Sequence, residues 1–156
     1  MDLKTLLDGF SSGLGIGEAE ADADGVFRFT VDGVTVAFME VVETGSFAIW
    51  ASVGRPPEDV RLYRALLEAM FMGEGSGGAT FSLDRESGNL ILQRIDSLEA
   101  FDVASFSALV ERFVGVLEKW RGCVSDFAVA APILKKADER VREAERDCWA
   151  DGFLRA

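Results

Sequence analysis

Between Phe71 and Leu92 the chain reads Phe-Met-Gly-Glu-Gly-Ser-Gly-Gly-Ala-Thr-Phe-Ser-Leu-Asp-Arg-Glu-Ser-Gly-Asn-Leu-Ile-Leu. Glycines at 73, 75, 77 and 78 end a helical pattern and pass the chain to two short alternating runs. These are Ala79-Thr80-Phe81-Ser82-Leu83 and Asn89-Leu90-Ile91-Leu92, joined by the turn-forming Asp84-Arg85-Glu86-Ser87-Gly88. The segment therefore predicts a glycine-rich bend followed by a hairpin, with the rest of the chain built around it.

Upstream, Leu3, Leu6, Leu7, Phe10 and Leu14 recur at the spacing of one helix face, and Gly13, Gly15 and Gly17 close that segment. Its apolar stripe reads first as core. A short terminal helix with a glycine tail can also offer part of that face to a partner. Glu18 to Asp24 alternates acid and alanine and predicts an exposed linker. Val26–Val31 and Val34–Val42 alternate as strands around Asp32-Gly33, the two-residue signal of a type I′ hairpin. After Glu43-Thr44-Gly45 a third strand, Ser46–Val53, completes an antiparallel meander.

Prolines and acids at 56–59 open a second helix whose stripe is Val60, Tyr63, Leu66, Leu67, Met70 and Phe71, widened by Leu62 and Met72. That arc is too broad for a helix covered on one side only. Residues 96–102 predict a loop, after which Phe106, Leu109, Val110, Phe113, Val114, Leu117 and Trp120 form the cleanest helical stripe in the chain. Gly122 and Pro132 bracket an apolar connector at 127–131, and a charged helix follows over about 133–148. The order α-β-β-β-α-β-β-α, plus a C-terminal helical extension, predicts an α+β fold with a five-stranded antiparallel sheet covered by three helices. Residues 1–125 read as that domain, and 126–156 as its helical extension.

Composition narrows the function. The chain has 156 residues, enough for one domain with a real core, and a formal net charge of −11 from 27 acids and 16 bases. Such an acidic surface disfavours nucleic acid and anionic membrane, both polyanions, and favours a basic or neutral protein partner. No apolar run is long enough to span a bilayer, and the start lacks the pattern of a cleaved leader, which predicts a soluble cytoplasmic protein. Cys123 and Cys148 read as free thiols.

Histidine is absent, which removes the commonest general base, the serine triads and most zinc sites. Gly73 to Gly78 spells G-x-G-x-x-G, but it follows a helix and opens a strand, the reverse of a dinucleotide-binding loop. The glycines instead predict a positive-φ helix cap and a tight turn. Glu139 with Glu143 and Glu145 with Asp147 lie among Lys135, Lys136, Arg140, Arg142 and Arg146, as on a solvated face. Asp84, Glu86 and Asp96 read as turn residues rather than calcium ligands, and Trp50, Trp120 and Trp149 as packing residues or amphipathic anchors. No catalytic, metal or cofactor site is predicted.

The run from Gly75 through Asp84, then Gly88 to Leu92, then Phe106 through Glu118-Lys119-Trp120-Arg121 resembles the second half of a class I type III secretion chaperone of the Tir-chaperone (CesT-like) family. The resemblance covers about residues 1–125 and implies an acidic, cytoplasmic, non-enzymatic homodimer. Such a protein binds the N-terminal segment of a secreted effector in extended form and keeps it export-competent, and the secretion ATPase is a further partner it suggests. By the same resemblance Tyr63, Leu66, Leu67 and Met70 lie at the dimer interface, and the effector lies on Leu3, Leu6, Leu7 and Phe10 with Phe27, Phe29 and Phe38. The alternative is a dimeric regulatory module that sequesters a folded partner such as a transcription factor.

Overall fold

A computed structural model describes the backbone of residues 2–15, 17–31 and 33–153, with side chains described through Val129 apart from Val31. Helix α1 is Leu3–Leu14, strands β1 to β3 are Val26–Val31, Val34–Val41 and Ser46–Gly54, and helix α2 is Val60–Met70. Strands β4 and β5 are Thr80–Leu83 and Leu90–Ser97, and helix α3 is Val103–Phe153. Every strand pairing is antiparallel, in the order β1-β2-β3-β5-β4. The second hairpin thus joins the meander through its later strand, leaving β1 and β4 as the sheet edges.

Strand alternation sends Phe27, Phe29, Val34, Val36, Phe38, Phe47, Ile49, Leu90 and Leu92 to one face. All three helices pack on that face and share one core with it, centred on Phe38, Phe47 and Phe106, which are fully buried. Phe106 lies 5.9 Å from Phe38 and 5.4 Å from Phe47, ring centre to ring centre. The opposite face carries Arg28, Thr30, Thr35, Trp50 and Gln93.

The first part of the amphipathic stripe of α1 proves to be core. Leu3, Leu6 and Leu7 are completely buried, so they present no surface for a partner to touch. The helix is held at both ends, by the Asp2 carboxylate accepting from Thr5 N–H at 2.8 Å and by Gly15 in the left-handed conformation. The Leu3 N–H also donates to Glu40 of β2 at 3.2 Å. The segment expected as an exposed linker is exposed except at Ala19, but it is tethered to the domain. Ala19 is buried, its N–H donates to the Asp8 carboxylate at 2.9 Å, and Ala21 bridges to Phe27.

Three boundaries differ from the sequence reading. Strand β5 continues to Ser97 rather than stopping at Leu92, because Arg94 and Asp96 on its inward side satisfy each other in a salt bridge and need no apolar pattern. Helix α2 stops at Met70 rather than Met72, since Phe71 is extended and Met72 is left-handed at φ 55°. The expected connector at 127–131 is absent, and α3 runs unbroken through Gly122 and Pro132. Proline removes a single helical hydrogen bond, and the alanines at 128, 130 and 131 are strong helix formers on its N-terminal side. The Asp32 half of the first hairpin turn lies outside the described residues, as do the side chains of Cys148, Trp149 and the acid pairs at 139–147.

The glycine bend is pinned from both sides. Trp120 on α3 donates its indole N–H to Gly75 O at 3.0 Å, and Arg94 on β5 donates to Gly77 O at 2.9 Å. A side chain at Gly75 would sit 2.7 Å from Ala69 Cβ, so glycine is required where the bend crosses the end of α2. The motif is therefore a cap and turn, as its inverted context implies.

Candidate functional site

Among the described residues, two apolar surfaces stand out once the core is filled. The first is a groove of about 290 Å³ where the end of α1, strands β1 and β2, and the middle of α3 meet. Phe10 and Leu14 come from α1, Phe29, Val34, Val36 and Phe38 from the sheet, and Val110, Val114 and Gly115 from α3. Its polar side chains are Glu111 and Glu118. The wall is a chain of edge-to-face rings, Phe10 against Phe29 at 6.2 Å and Phe29 against Phe38 at 6.0 Å, a preferred aromatic geometry that makes the groove a rigid surface.

The seven residues expected to meet an effector separate here. Phe10, Phe29 and Phe38 line the groove, whereas Leu3, Leu6 and Leu7 lie beneath it as core. Phe38 itself is fully buried, so it acts as floor, and Phe27 is half-buried beside the groove-lining residues. Leu14, Val34, Val36, Val110 and Val114 complete the lining. Sequence periodicity assigns each of these to an apolar face, but no spacing rule brings α1, β1, β2 and α3 to one point.

The second surface lies on α2 and the edge strand β4. Tyr63, Leu66, Leu67 and Met70 meet Phe81, Leu83 and Leu90 around a shallow depression of about 270 Å³. All four residues expected at a dimer interface therefore gather in one place, although Leu66 is 4% exposed and belongs mainly to the core, while Leu67 is 66% exposed. Val60, Phe71, Met72 and Leu83 are exposed apolar residues of the same two elements and the bend that links them. Met72 is unusual, a non-glycine residue in the left-handed region at φ 55°, and the turn it makes leaves Phe71 and Met72 in solvent. The helical spacing that puts both on the α2 stripe ends at Met70, and the bend turns them out as a knuckle.

Electrostatics around the two surfaces is that of helix ends and turns. The Asp59 carboxylate caps α2 by accepting from Arg61 N–H at 2.9 Å, and the Arg61 guanidinium beside it holds its pKa below the usual value. Asp8 on α1 is lowered in the same way, first by Lys4 and then by the Ala19 N–H. Asp84 is lowered by the Ser87 hydroxyl and by backbone N–H groups of its own turn, as a turn residue should be. Among the described residues, no group of three or more His, Cys, Asp or Glu side chains gathers to hold a metal ion. No described helix is long and apolar enough to cross a membrane.

Comparison with known proteins agrees with this architecture. The fold is similar to a chain of the ExsC–ExsE complex, with 20% identity and a TM-score of 0.67 over 80% of this chain and 97% of that one. It is similar to a chain of the HopA1–SchA chaperone–effector complex, with 20% identity and a TM-score of 0.62 over 79% of this chain and 92% of that one. A third similar structure is the Yersinia pestis type III secretion chaperone SycH in complex with a stable fragment of YscM2. There the identity is 19% and the TM-score 0.62, covering 75% of this chain and 98% of that one. No curated protein matches the sequence. Residues 5–121 match the Tir chaperone protein (CesT) family, and the chain belongs to that family.

Proposed function

We propose that this chaperone binds the N-terminal segment of a type III secretion effector in extended form, in the cytoplasm, and keeps it soluble and competent for export. The observation that carries the reading is the open groove of about 290 Å³ with an apolar floor and aromatic wall beside the sheet edge. Phe10 and Phe29 would touch the client directly and Phe38 would support them from beneath. An extended segment laid there gains apolar burial, and the edge of β1 beyond its bridge to Ala21 offers it main-chain hydrogen bonds. The acidic surface draws a basic segment in.

The working unit in this reading is a homodimer joined through α2 and β4, with Tyr63, Leu67 and Met70 at the contact and Leu66 behind them. Covering the exposed Val60, Leu67, Phe71, Met72 and Leu83 supplies the drive to associate. In this reading residues 126–156 extend the same domain, continuing α3 as far as Phe153. No catalytic step is assigned to any residue.

Co-expression with an effector encoded beside this gene tests the proposal. The two chains should co-purify, and limited proteolysis should leave the effector's N-terminal segment protected while the rest is cut. Co-purification that requires the folded remainder of the effector, with no protected N-terminal segment, would favour sequestration of a folded partner instead.

A further inference from the structure

We infer that the groove selects a segment in which an apolar anchor is flanked on both sides by lysine or arginine, read by Glu111 and Glu118 across Gly115. The inference deepens the proposed effector-binding role of that groove and rests on it. Glu111 and Glu118 stand one heptad apart on the groove side of α3, about 10 Å along the helix axis. Both are exposed, and neither forms a salt bridge among the described residues. No lysine or arginine lines the groove. An occupant with apolar side chains alone would leave two carboxylates on its rim without a counter-charge, whereas basic residues on either side of the anchor would pair with both.

Gly115 lies between them. Glycine inside a helix is unfavourable relative to alanine and calls for a packing reason. Among the described residues there is none, since a Cβ built at Gly115 meets no atom within 4 Å; the same holds at Gly13 and Gly122, but of the three Gly115 is the one that lines the groove. Gly9 on α1 is the contrast, because a Cβ there would press to 2.7 Å from Val103 and the two helices could not approach. The space at Gly115 opens into the groove, so the bare backbone lets an occupant sit low between the two carboxylates.

Three fluorescein-labelled peptides with glycine-serine flanks separate the possibilities. They are centred on Arg-Leu-Ile-Leu-Arg, Glu-Leu-Ile-Leu-Glu and Ser-Leu-Ile-Leu-Ser, and their binding to the full chain is read by fluorescence anisotropy. The arginine peptide should bind about tenfold or more tightly than the glutamate peptide, the serine peptide falling between them. The double charge reversal E111K/E118K, at exposed positions, should invert that order without lowering the Tm. G115A should raise the Tm while weakening the arginine peptide, a divergence that a purely structural role for Gly115 would not produce. Equal binding of all three peptides would overturn the charge reading and leave groove occupancy standing. Binding of none would overturn both.

Discussion

The groove and the α2–β4 surface are both apolar, yet they are built differently. The groove is concave, and its wall is continuous with the centre of the core, since Phe10 and Phe38 each contact Phe106. The α2–β4 surface is a shallow depression fringed by exposed side chains, including Leu67, Met72 and Leu83. Rigid concavity suits a flexible guest, because the host loses little conformational freedom when a side chain enters. A shallow patch fringed by exposed side chains suits a matching patch on another folded subunit, and symmetry doubles each contact. One small domain thus carries two kinds of stickiness, separated by the body of the sheet and α3.

Replacing Leu67 with aspartate breaks the comparison most sharply. Each copy loses about 1.5–3 kcal/mol of burial and the symmetric pair about twice that, so the dimer should weaken by at least a hundredfold. Light scattering should report monomer, with little change in circular dichroism, because the side chain projects outward. A dimer that persists would put the interface elsewhere.

Phe38→Ala probes the opposite case, where the groove floor is also core. The loss should be about 3–5 kcal/mol, enough to unfold much of the protein in a denaturant titration, since the ring is fully buried against Phe29 and Phe106. A mild effect would mean that the groove is detachable from the core.

Val114→Asp sharpens the distinction between the two surfaces. It adds a charge to the groove wall without touching α2, so co-purified effector should fall about tenfold or more while the dimer survives. Simultaneous loss of dimer and effector would show that the surfaces are coupled.

The smallest effect is expected at the start of α2, which carries the second surface. Asp59→Ala removes the cap and should lower the Tm slightly. Because the Asp59 pKa is depressed below its ordinary 3.8, its contribution is present above that value and is lost as pH falls through the folded-state pKa. The gap between wild type and variant in thermal melts should therefore be full near neutral pH and close on acidification.

Much of this molecule is legible in the order of its residues. The alternation of Phe27 with Phe29 and of Phe47 with Ile49 gives the inward face of the sheet, and the stripe from Phe106 to Trp120 gives the buried side of α3. The glycine bend could be read from its inverted context. Other features were hidden for identifiable reasons. Asp96 looks like the start of a loop because its pairing with Arg94 replaces hydrophobic alternation. Met72 looks helical because its left-handed backbone is imposed by the bend rather than by its side chain. Ala19 looks like linker because only the approach of Asp8 gives its N–H a partner.

The local sequence by itself determined the elements, their faces and the antiparallel hairpins, because periodicity and turn chemistry act over a few residues. Tertiary structure alone decided which apolar side chains were consumed. Leu3, Leu6 and Leu7 carry the same pattern as Phe10 and Leu14, but α3 and the sheet close over the first three, while the groove takes in the last two. A stripe records that a face avoids water. Whether its own domain or a partner covers that face depends on contacts between residues far apart in the chain.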